Sequence, residues 1–206
     1  MHHSSLPPIA MLAIAMSCAA PAAHAAVIVS NTVGTVGSLP GTDSTYGFGQ
    51  SVTTSSSGPW NTISFNFLNA ATKAPAAWGT LHLLSSPYAG TVAALSSSTP
   101  GYVADTSTII GGAWDFDDAV TLQADTQYFF YTAAGGIPVS LLFSLDNPNP
   151  GGVLYEAHGG NFGPLAGLDF AFSLQGHQVT ATPEPASALL LAPALVALLR
   201  TRRRPA

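Results

Sequence analysis

Basic residues are scarce in this chain: there are five, and four of them are Arg200, Arg202, Arg203 and Arg204. Between residues 26 and 182 the only Lys or Arg is Lys73, set against Asp43, Asp105, Asp115, Asp117, Asp118, Asp125, Asp146, Glu156 and Asp169. A stretch with a net charge of about −8 has little with which to neutralise phosphate, which argues against nucleic acid and anionic lipid as partners of this part. Cysteine is limited to Cys18, so no disulfide framework is available and packing must supply the stability. Acid–base chemistry is equally short of material: the same stretch has three histidines, His82, His158 and His177, and one glutamate, Glu156. Helical periodicity is missing too, since no segment there repeats its apolar residues at helical spacing over three turns.

What is present is the alternation of strands. Thr62 to Leu68 places Ile63, Phe65 and Phe67 on one face and Thr62, Ser64 and Asn66 on the other. Asp169 to Leu174 repeats the pattern, with Phe170, Phe172 and Leu174 inward and Asp169, Ala171 and Ser173 outward. Leu81 and Leu83 flank His82, which is expected to face solvent. Tyr128 to Tyr131 is apolar on both faces and reads as a central strand covered twice. Further strands are expected at Val27–Val33, Tyr46–Val52, Val92–Leu95, Ala119–Leu122, Val139–Leu145 and Gly152–Tyr155. Breakers separate them, including Ser57-Gly58-Pro59, Thr99-Pro100-Gly101 and Gly135-Gly136. About ten short strands with frequent turns predict an all-β domain, an antiparallel β-sandwich or jelly roll, over residues 26–180.

The two ends differ from this body. Leu6 to Ala23 is apolar, and Ala23-His24-Ala25 fits the small-x-small pattern cut by signal peptidase, giving an expected signal peptide over residues 1–25. The stretch before Leu6 lacks the usual Lys or Arg. Ala15-Met16-Ser17 ahead of Cys18 makes a poor lipobox, which disfavours lipidation. Near the other end, Pro183-Glu184-Pro185 precedes a 14-residue apolar run, Ala186 to Leu199, followed by the arginine cluster. As a helix that run is about 21 Å long, against a hydrocarbon core of about 30 Å. Pro193 further disfavours a straight helix. Such a segment stalls a chain during export, with its arginines held on the cytoplasmic side, and makes only a marginal permanent anchor.

The order Pro183-Glu184-Pro185, short apolar helix, then Arg200, Arg202, Arg203 and Arg204 resembles the PEP-CTERM sorting signal of Gram-negative bacteria. That resemblance covers residues 181–206 and implies processing by an exosortase, a transient inner-membrane intermediate, and delivery to the cell surface or extracellular matrix. Residues Leu81 to Gly176 are similar to the choice-of-anchor β-domains that accompany this signal, most nearly the R type. Trp114, Phe116, the segment Val120 to Tyr128 and Asp169-Phe170-Ala171-Phe172 carry that likeness. It implies a β fold and no established enzymatic role.

The search for chemistry in the body returns little. His158-Gly159-Gly160-Asn161 is similar to an esterase oxyanion loop, yet no Gly-x-Ser-x-Gly follows, and a glycine-rich turn accounts for it better. Asp115, Asp117 and Asp118 could ligate Ca²⁺, although the central Gly and twelfth-position Glu of an EF-hand are missing; a solvated acidic turn is the simpler expectation. Glu156 would need a facing carboxylate to hydrolyse a glycoside. Trp60, Trp78, Tyr88, Tyr102 and Trp114 could stack on sugars, but core or edge packing is the better account of each. The function expected is that of a non-enzymatic exported protein, structural or adhesive in exopolysaccharide, with a carbohydrate-binding module, Ca²⁺-assisted in one form, as the alternative. Its partners are then signal peptidase, exosortase and, transiently, the membrane, with exopolysaccharide a further candidate. No cofactor is expected.

Overall fold

The computed structural model describes residues 25–32, 38–39, 46–133, 140–145 and 149–179. Pro183, Glu184, Pro185, the apolar segment after them, and Arg200, Arg202, Arg203 and Arg204 lie outside the described residues, as do Cys18 and Ala23. Ala25 is the first described residue and is exposed.

The fold is all-β, built of antiparallel sheets that do not close into a barrel. One six-stranded sheet runs in the order β1 (Ala26–Asn31), β15 (Phe172–Gln178), β4 (Trp60–Leu68), β9 (Ala113–Asp115) and β8 (Ile109–Ile110), with β5 (Pro75–Ala76) also pairing with β4. The other is ordered β13 (Gly163–Leu165), β12 (Leu154–His158), β3 (Tyr46–Thr53), β10 (Gln127–Ala133), β6 (Leu81–Leu84) and β7 (Tyr102–Thr106). A small third sheet joins β14 (Asp169–Phe170), β11 (Leu141–Ser144) and β2 (Ser38–Leu39).

Alternation decides what is buried. Ile63, Phe65 and Phe67 of β4 project into a core shared with Phe48, Leu81, Leu83, Phe130 and Leu154 of the second sheet, as their spacing predicts. Phe65 sits at its centre, stacked on Phe130 with ring centroids 4.3 Å apart, 5.1 Å from Phe67 edge-on, and 5.8 Å from Phe172. Strand β10 lies between β3 and β6, and its double apolar face is used on both sides. Tyr128 and Phe130 enter the shared core, while Phe129 and Tyr131 enter a second cluster with Leu84, Leu95, Tyr155, Ala157 and Phe162.

That second cluster rests on glycine. Gly49 of β3 stands opposite Tyr131 on one side and Tyr155 on the other, and a Cβ there would overlap the Tyr131 ring. Gly47, two residues earlier, leaves room in the same way for Phe162 and Val92. The alternate glycines of β3 therefore let these side chains approach the strand backbone closely. Gly49→Ala is expected to lower the unfolding free energy by about 1–3 kcal/mol through overpacking. Thermal unfolding checks this, and an unchanged midpoint would contradict the packing described.

Four expectations are corrected. Val92–Leu95 is not a strand: Val92–Ala94 forms a 3-10 turn, closed by the Leu95 N–H donating to the Val92 carbonyl at 3.2 Å. Ala119–Leu122 contributes only a bridge from Leu122 to Trp60. Asp169 and Ala171 do not face solvent, because the chain passes from the third sheet into the first at Ala171, whose N–H bonds Leu142 and whose carbonyl accepts from Leu68. Asn66 is buried rather than outward, its Nδ2 donating to the Phe67 carbonyl at 2.9 Å.

Candidate functional site

A shallow concavity lies where the chain leaves β7 for β8. It is an open groove of about 540 Å³ lined by Asp105, Thr106, Ser107, Thr108, Asp115, Phe116, Asp117 and Asp118. Thr106 Oγ1 donates to the Asp115 carbonyl at 2.7 Å, and the Asp115 N–H donates to Thr108 at 3.0 Å, which clamps the two walls together. The Asp117 carboxylate accepts the Ala119 N–H at 2.8 Å and its carbonyl accepts the Val120 N–H, so this aspartate also shapes a turn. The structure thus brings Asp115, Asp117 and Asp118 beside Asp105, which sequence spacing did not group with them. Among the described residues no three His, Cys, Asp or Glu side chains converge as a metal-holding group.

Behind the groove, His82 of β6 stands opposite Asp105 of β7, Nδ1 lying 3.7 Å from the carboxylate. It does not point to solvent as expected; its side chain is only 15% exposed, because the neighbouring strands β10 and β7 flank it. Burial pushes the His82 pKa below 6.5, against the opposing pull of Asp105. Nδ1 has no hydrogen-bond partner among the described residues.

The other candidates are dispersed. His158 ends β12 exposed, its ring stacked on Tyr46 with centroids 4.1 Å apart and its Nε2 in contact with the Tyr46 hydroxyl. The glycines after it form the turn into β13, with Gly159 at φ +65°, as a glycine-rich turn requires. Glu156 also lies on β12, four strand spacings or about 19 Å from β7 and Asp105. Trp78 and Trp114 pack against each other at 5.3 Å in the shared core, and Trp60 is only 3% exposed, so the three tryptophans offer no sugar-stacking surface. Tyr88 and Tyr102 are half-buried against the second cluster.

A polar cluster that sequence reading missed centres on Asp169, which is fully buried. Its carboxylate accepts Gln50 Nε2 at 2.7 Å and the Asn149 N–H at 3.1 Å, while Gln50 Oε1 accepts the Phe170 N–H at 2.8 Å. Desolvation raises the Asp169 pKa above 3.8, partly offset by those hydrogen bonds. The folded state therefore holds this proton more tightly than the unfolded one. Its contribution to stability is complete below pH 3.8 and is lost as pH rises through the higher folded value. Relative to Asp169→Asn, the wild type should gain stability on acidification across that window, measured as the difference in urea midpoint. A pH-independent difference would contradict it.

Comparison with known proteins adds no assignment: no protein family, curated protein or solved structure was found to match this chain.

Proposed function

We propose that this chain is a non-enzymatic exported protein of the cell surface or extracellular matrix of a Gram-negative bacterium, sorted and cut by an exosortase. In this reading residues 1–25 are a signal peptide, residues 26–180 form an antiparallel β-sandwich of jelly-roll-like kind, and residues 181–206 are the sorting signal. The observation that carries it is the order of features in one short segment: Pro183-Glu184-Pro185, 14 apolar residues, then four arginines. A run too short to span a bilayer comfortably, bounded by charge that resists translocation, suits a handle used during export better than a lasting anchor.

The body supports the same reading. Two antiparallel sheets share one core through contacts such as Phe65 with Phe130, as expected of a sandwich. Its three tryptophans and its buried aspartate are engaged in packing and hydrogen bonding, which favours a scaffold over a sugar-binding platform. Probing intact cells, membranes, medium and cytosol with an antibody against the body tests the proposal. The body should be found at the surface or in the matrix; accumulation in the cytosol would overturn it.

A further inference from the structure

We propose that the edge strand β1 pairs antiparallel with the β1 of a second copy, joining two sheets into one. Strand β1 ends its sheet, bonded to β15 on one side and, among the described residues, to no strand on the other. Its outward residue follows from the ladder. Leu68 donates to the Ala171 carbonyl, and alternation from there turns Phe172 and Leu174 toward β1, so Asn31 and Val29 bond β15 while the Ser30 N–H and carbonyl face away. A bulge between Val27 and Val29 sends Ile28 into the core and leaves Val27 58% exposed. The other sheet edges carry features that deter pairing: β13 has Pro164, β7 has Asp105, and β8, β5, β2 and β14 are two residues each. Six residues long, with neither proline nor charge, β1 has only its bulge.

Charge selects the occupant. The one carboxylate on the strands of this sheet is Asp115 of β9, three strand spacings or about 14 Å from β1. That exceeds the screening length of about 8 Å at physiological salt. Two copies meeting at β1 therefore keep the carboxylates of this sheet away from the seam, although residues 26–182 are acidic as a whole. A charged peptide, by contrast, finds no counter-charge among the acidic and basic side chains, since neither β1 nor β15 carries one. The pairing is also self-complementary: a two-fold axis at Ser30 sets Ser30 against its own counterpart, each N–H donating to the other's carbonyl. One strand pair is a small interface, so reversible association in the micromolar range or weaker is expected. This inference does not depend on the export reading; it needs only the folded body.

The full chain carrying Cys18→Ser, in a density-matched non-ionic detergent, tests this in two ways. Across the two-fold axis the paired residues have Cα atoms about 5.5 Å apart, within reach of a disulfide. Adding Ser30→Cys should therefore give a disulfide-linked dimer under air oxidation catalysed by copper phenanthroline. Ser173→Cys, opposite Ser30 on the neighbouring strand, should not, since its two copies would lie about 14 Å apart. In sedimentation equilibrium, Ser30→Lys should weaken dimerisation roughly three- to tenfold by setting two ammonium groups opposite each other. Its thermal midpoint should stay unchanged, because Ser30 is exposed. A chain that remains monomeric throughout, equal cross-linking of the Ser30→Cys and Ser173→Cys variants, or a dimer indifferent to Ser30→Lys would each overturn the proposal.

Discussion

Phe65→Ala is expected to lower the unfolding free energy by about 3–5 kcal/mol, the usual range for removing a buried aromatic ring. For a domain of this size that corresponds to a fall in midpoint of roughly 6–20 °C. The position is chosen because Phe65 touches four other rings: Phe130, Phe67, Phe172 and Trp114. Phe130 belongs to the opposite sheet, so the cavity would open between the sheets, where neither can easily relax into it. No disulfide is available to compensate, since the described residues contain no cysteine. Ile110→Ala, at an exposed residue of β8, provides the control and should change stability by no more than about 0.5 kcal/mol. Equal effects at the two positions would mean that the core is not organised around Phe65.

The second large effect is on maturation. Glu184→Ala, or deletion of residues 200–204, should block processing and leave a precursor that keeps its C-terminal segment and fractionates with the membrane. In the proposed reading the arginines would keep one end of the short apolar run on the cytoplasmic side and so present Pro183-Glu184-Pro185 at the opposite face. Immunoblotting of membrane and extracellular fractions reads the outcome directly. A normally released product from both variants would show that the segment is not the processing signal.

Much of the body was legible in its sequence because β period and burial coincide there. The inward set Ile63, Phe65 and Phe67, and the two-faced run from Tyr128 to Tyr131, required only alternation to be placed. Strands whose environment is set by tertiary contacts were harder. Tyr102–Thr106 and Ala113–Asp115 were not anticipated as strands, although Gly111-Gly112 between Ile110 and Ala113 is a hairpin signal that could have located β8 and β9. Asp169 was misplaced for a different reason. Alternation assigns a polar residue outward, and only the partner across the fold, Gln50, explains why this carboxylate can be buried. The groove was half legible: Asp115, Asp117 and Asp118 are neighbours in sequence, but Asp105 joins them only because β7 and β9 are adjacent where the chain crosses between the sheets.

The central claim is that both ends are temporary and the body between them is what the cell keeps. Intact-mass measurement of the protein recovered from its native host tests this most directly. The account predicts a chain beginning at Ala26 and lacking everything beyond the neighbourhood of Pro183-Glu184-Pro185. A mass matching all 206 residues would contradict it.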